Sequence, residues 1–182
     1  DAGTGDGGDS DAGVELTGRV CILKDLRQPT VCDAAQNAQG LRVSLGTRTT
    51  TTIDKAGSFR LTAPLGAGFT WHVTGDVLDR IVTTAMPFGT ENTIPVVPTQ
   101  LYRDLLSTNK VEVLDQEGSI VVRVVSGVTP VANVSATSTV AATLTLYDSN
   151  NSALDWNESP AGRTATAGVV WFPDVPLAVV PP

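Results

Sequence analysis

From Val14 onward the apolar residues fall at every second position, in short runs separated by Gly, Asn, Asp and Pro. This period of two constrains the chain more than any other feature. A strand sends alternate side chains to opposite faces, whereas a helix would repeat near 3.6 residues. Val14, Leu16, Val20 and Ile22 share one face with Gly18, and Glu15, Thr17, Arg19 and Cys21 share the other. "LRVSL" (Leu41 to Leu45), "SFRLT" (Ser58 to Thr62) and "FTWHV" (Phe69 to Val73) repeat the alternation. They put Leu41, Val43, Leu45, Phe59, Leu61, Phe69, Trp71 and Val73 inward, with "NAQG", "DKAG" and "PLGAG" as the turns between them. "RIVTTA" and "TIPVV" close this series near Pro98.

A second series follows. Ile120, Val122 and Val124 form one stripe of "SIVVRVV", then "VANVSAT", "VAATLTLY" and "AGVVWF" read as further strands. Between the two series, "TQLYRDLLSTNK" is the one helical stretch, with Leu101, Leu105 and Leu106 able to line one side and pack between modules. Thr, Val, Gly and Pro dominate and Lys and Glu are scarce, as strands and turns require. At 182 residues the chain can hold two small domains, each with a modest core.

The expected architecture is therefore all-β: two tandem small antiparallel β-sandwiches joined by a short helical connector. The expected boundaries are 1–13 for an Asp/Gly-rich flexible tether, 14–98 for the first sandwich, 99–113 for the connector and 114–182 for the second. The closing "LAVVPP" is either a stub of the last strand or the mark of an unpaired edge. An unpaired edge invites strand addition from another chain, while prolines blunt it by removing donors.

In "TTTTIDKAGSFRLTAPLGAGF", Asp54 and Lys55 sit at a tight turn, Gly57 is free to take a positive φ, and Phe59 and Leu61 enter the core. "TATAGVVWFPDVP" repeats the device with Gly168 at the turn and Val170 and Phe172 inward, which points to internal duplication. The arrangement Gly18, "GLRVSL", "TIDKAGSFRL", "PLGAGF" resembles the carboxypeptidase regulatory-like domain, a transthyretin-like β-sandwich commonly appended to secreted and surface proteins. The stretch from Gly118 through "TPVANVSAT" to "LYDSNNSALDWNESPAGRTATAGVVWFPDVP" resembles the same superfamily in a more diverged form. Asp1 to Gly13 is similar to the linkers that follow the lipid-bearing cysteine of bacterial surface lipoproteins, though any such cysteine would have to precede Asp1.

A net charge of −7 disfavours nucleic acid, whose phosphates want a basic face, and anionic membranes likewise. Apolar runs fall short of the roughly 20 residues that span a bilayer. Asp1 in place of Met is what a processed chain would carry. Cys21 and Cys32 are the only cysteines, so a four-cysteine zinc site is excluded. A local disulfide, which needs an oxidising compartment, is set against two buried free thiols.

Candidate chemistry is sparse. Asp6, Asp9 and Asp11 offer carboxylates suited to calcium, the one candidate cofactor, but not in the spacing of an EF-hand, so a plain tether stands against them. His72 lies mid-strand without an activated-serine context. Asp76, Asp79, Asp115, Glu117, Asp148, Asp155 and Glu158 fall in loops, where solvated acids are ordinary. "YDSNNSALDWNESPAGR" combines Tyr147 and Trp156 with amides and carboxylates, a set that stacks on sugars or grips a partner unless Trp156 folds back over the sandwich end. "TRTTTT" (Thr47 to Thr52) could present outward hydroxyls to a neighbouring chain, and Asn133, Asn150 and Asn157 head glycosylation sequons. The expected function is a non-enzymatic, extracytoplasmic structural or adhesive surface protein, secreted or cell-surface, with protein partners that include its own copies. A carbohydrate-binding module of a secreted degradative system, with Tyr147 and Trp156 as its platform, is the alternative.

Overall fold

The computed structural model describes residues 13–63, 68–75, 80–89, 93–114, 116–158 and 162–176. The described residues are β-rich with one short helix. In its first half, β2 (Arg42–Leu45) pairs antiparallel with β3 (Arg48–Thr51) and β5 (Thr70–Thr74), and β5 pairs with β6 (Thr84–Pro87). A second sheet places β1 (Val14–Ile22) between β4 (Ser58–Ala63) and β7 (Thr93–Val96). The facing sides of the two sheets share one core. Leu41, Val43 and Leu45 meet Phe59, Leu61, Trp71, Val73, Ile94 and Val96 there, all buried, and Phe69 packs against them half-buried. Trp71 stacks edge-on against Phe59 at 5.4 Å.

Two expectations fail in this half. Val14 is 58% exposed, opposite Ala63 in the last pair of the β1–β4 ladder. The β1–β7 pair is parallel, so the sheet is mixed. Parallel neighbours need a long crossover, and the hairpins from β2 to β6 supply it.

The end of β1 is buried on both faces. Val20 and Ile22 enter the first core, while Cys21 and Leu23 enter a second. That second core also takes Leu26, Leu105, Val111, Leu146, Trp156, Val169 and Trp171, so it is built from both halves of the chain. The Cys21–Cys32 disulfide forms, with Cα atoms 5.0 Å apart, and closes the loop that carries Leu26 over this core.

The helix α1 (Thr99–Thr108) buries Leu105, with Leu101, Tyr102 and Leu106 partly covered beside it, as its leucine spacing suggested. Lys110 at φ 55° ends it. Its N–H reaches the Ser107 carbonyl and that of Val111 reaches Leu106, the paired bonds of a Schellman stop with lysine where glycine is usual.

In the second half, β8 (Glu117–Arg123) pairs with β13 (Val169–Pro176), β13 with β11 (Leu146–Tyr147), and β11 with β12 (Asn157–Glu158). A two-residue hairpin, β9 (Val125–Ser126) and β10 (Thr129–Pro130), extends from β8. Strand β13 is buried on both sides. Val169 and Trp171 face the second core, and Val170, Phe172 and Val175 face a third with Tyr147. "VANVSAT" and most of "VAATLTLY" form no strand, contrary to their alternation. Side chains take the backbone groups a ladder would have used. Thr164 Oγ1 accepts from Val134 N–H, Tyr147 Oη from Ala136 N–H, and Asp174 from the N–H groups of Thr143 and Leu144.

One local device occurs in both halves. Gly57 at φ 83° accepts from Val20 N–H, and a Cβ there would lie 2.2 Å from the Val20 carbonyl oxygen. Gly168 at φ 66° accepts from Val124 N–H, and its Cβ would lie 2.8 Å from the Val124 oxygen. Each glycine closes a turn that opens a buried strand. The Asp54 carboxyl, which accepts from Ser58 N–H across the first turn, is held below its ordinary pKa mainly by that bond.

Gly57→Ala is expected to destabilise the fold by about 1–3 kcal/mol, through strain at positive φ and displacement of β1, as a lowered midpoint in urea unfolding. Replacing both cysteines with alanine should cost about 3 kcal/mol in the same measurement.

Candidate functional site

The two aromatics expected to present a platform are both interior. Tyr147 is 2% exposed, and its hydroxyl accepts from Ala136 N–H and donates to the Ala136 carbonyl, both at 3.1 Å. Trp156 is 5% exposed, stands edge-on to Trp171 at 5.6 Å, and donates from Nε1 to the Ala153 carbonyl. The stacking platform is therefore corrected to a core contact. A ring with both faces packed has none left for a sugar.

Asn109, which sequence reasoning passed over, explains how Trp156 is held there. Its Nδ2 donates to the carbonyls of Leu105 and Leu154, both at 2.8 Å, and its Oδ1 accepts from Trp156 N–H. One amide thus caps the helix and ties the 154–156 loop to it. A lone Asn at a helix end signals a cap, but nothing in the sequence names its distant partners.

The buried carboxylates are likewise committed to backbone. Asp148, 1% exposed, accepts from the N–H groups of Ala165, Ala167 and Val169, and so fixes the turn that leads into β13. Asp174 holds Thr143 and Leu144. Arg27 pairs with Asp25 at 2.8 Å and donates to the Ser149 carbonyl at 2.7 Å, joining the disulfide loop to the loop after β11. Its pKa is raised, chiefly by the hydrogen bond to Asp25.

The other candidates are scattered. His72 is exposed on β5, opposite Ser44 and Ala85 across the sheet. Glu117 accepts from Leu114 N–H, and the exposed Asp155 accepts from Asn151 Nδ2. Thr52, within "TRTTTT", is buried and accepts from Leu41 N–H, while Thr49 and Thr51 stay outward on β3. Among the sequons, Asn150 Oδ1 accepts from Thr166, and the Asn133 carbonyl accepts from Arg163. Asp6, Asp9, Asp11, Asp76, Asp79, Asp115 and "LAVVPP" lie outside the described residues, as do the side chains of Asn157 and Glu158. Among the described residues no three His, Cys, Asp or Glu side chains converge as a metal site would need. No described helix is long and apolar enough to cross a membrane. Two open grooves, of about 560 and 570 Å³, flank Arg19 on either side of the Asp54 turn.

The feature that stands out is an edge. β8 ends its sheet with one neighbour, β13, among the described residues. Ile120, Val121 and Val122 are each 39% exposed, so apolar side chains on both faces of this strand meet solvent. Its signal was in "SIVVRVV", an apolar run that reads equally as a strand covered on both faces.

No protein-family model, curated protein or solved structure matches the chain.

Trp156→Ala should lower stability by about 3–5 kcal/mol in denaturant unfolding, because it empties a packed position. On a glycan array, a Trp156→Phe protein that remains folded should behave as the wild type does.

Proposed function

We propose that the chain is a non-enzymatic structural or adhesive component of an extracytoplasmic surface, built from two tandem transthyretin-like sandwiches. The observation that carries this reading is where the buried polar side chains end. Asp148, Asp174 and Asn109 are spent mainly on backbone groups, at the turn into β13, in the irregular segment before β11, and at the end of α1 and the loop beside it. What these groups make rigid is the outline of the molecule rather than a reaction chamber. Groups satisfied in this way hold a shape and have little left to offer a substrate.

The Cys21–Cys32 bond supports the compartment, since such bonds persist where thiols are not kept reduced. The repeated glycine turn supports the two-module reading, because each half opens a buried strand with the same contact. The net charge of −7 suits a solvated surface protein and its protein partners better than nucleic acid.

Fractionation and surface proteolysis of the cells that make the protein, combined with thiol alkylation, test the reading. Recovery at the cell surface or in the medium with both cysteines blocked is the expected result. A protease-protected cytoplasmic pool with alkylatable thiols overturns it.

A further inference from the structure

We propose that β8 is a self-recognition edge: two copies of this chain pair their β8 strands antiparallel about a two-fold axis through Ile120, joining two four-stranded sheets into one. The inference rests on the surface-component reading above and specifies the surface by which its copies would meet.

The backbone geometry makes the edge available. Val124 N–H reaches the Gly168 carbonyl, and the register sets Val122 against Val170 and Ile120 against Phe172. Along an antiparallel strand the direction of the backbone groups alternates. Residues 120 and 122 therefore turn their N–H and C=O groups to β13, and Ser119, Val121 and Arg123 turn theirs to the open side. An edge of this kind, apolar and bearing little charge, is a template for another strand.

Charge complementarity selects a second copy as the occupant. In the antiparallel register about Ile120, each Glu117 lies opposite Arg123 of the other copy, giving two symmetric ion pairs. Between them Ser119 faces Val121, while on the other face Ile120 meets its own counterpart, with Gly118 against Val122 on either side. Shifting the axis by one residue to Val121 sets Arg123 against Ser119 and leaves Glu117 opposite Val125. Parallel pairing brings like residues alongside each other, and like charges across a pair of strands repel.

Sedimentation velocity of the full chain over a wide concentration range is the test. Circular dichroism and thermal unfolding confirm that each variant is folded. The wild type should dimerise reversibly. Glu117→Lys and Arg123→Glu should each weaken the dimer about tenfold or more by placing like charges together, and the double exchange should restore it. Ile120→Lys should abolish it by setting two ammonium groups on the axis. A wild type that stays monomeric, single exchanges without effect, or a double exchange no better than the singles overturns the proposal. So does a monomer that dimerises only after residues 177–182 are removed, since the chain's own end would then be what covers β8. Larger assemblies that survive Ile120→Lys would sink this pairing and leave the surface role standing. Recovery of the protein in the cytoplasm would sink the surface role whatever β8 does.

Discussion

The structure hangs on the last residues of β1, which are buried on both faces. Val20 and Ile22 line one core while Cys21 and Leu23 line the next, so the strand is a wall shared by two interiors. A strand in that position cannot slip by one residue without exchanging the contents of both cores. The disulfide secures this wall to the loop that closes the second core, and Gly57 allows the turn before β4 to approach it. The two halves of the chain are thus fastened at one seam, through Cys21, α1 and Trp171, instead of being beads on a linker.

The second half solves a different problem. Its central strand, β13, is covered on one face by the seam and on the other by a segment that is mostly not β. Such a segment must satisfy its backbone groups without a ladder, and Asp174, Thr164 and Tyr147 supply those bonds. This accounts for carboxylates and an aromatic hydroxyl lying deep in a protein whose described residues bring no three His, Cys, Asp or Glu side chains together as a metal site would. Among the described residues it also leaves β8 with one neighbour, because the irregular segment packs across the sheet face and does not extend the sheet.

Period-two alternation located the strands of the first half and their inward residues, since each lies between a covered face and solvent or a turn. Leu41, Val43, Leu45, Phe59, Leu61, Trp71 and Val73 are all buried, and Leu105 was placed by helical spacing. The same rule misread "VANVSAT", where the apolar positions cap a core without a strand. It could not rank Tyr147 and Trp156 as surface or interior, because an amphipathic ring surrounded by Asn, Asp and Ser suits either place. Asn109 went unremarked, and Asp148 was read as an ordinary solvated loop acid where it is in fact buried, because their partners lie tens of residues away along the chain or are backbone groups, which carry no sequence identity.

By itself the sequence determined what depends on local chemistry: the β class, the turns that need a glycine at positive φ, the one helix, and a cysteine pair close enough to join. Only the tertiary structure decided that both halves feed a common core, that β1 and β7 run parallel, and that β8 has a single neighbour among the described residues. Alternation records that a strand has two unlike faces. Which neighbour covers each face, and whether any neighbour does, is a matter of long-range pairing, and the residue pattern of a single strand is the same in either case.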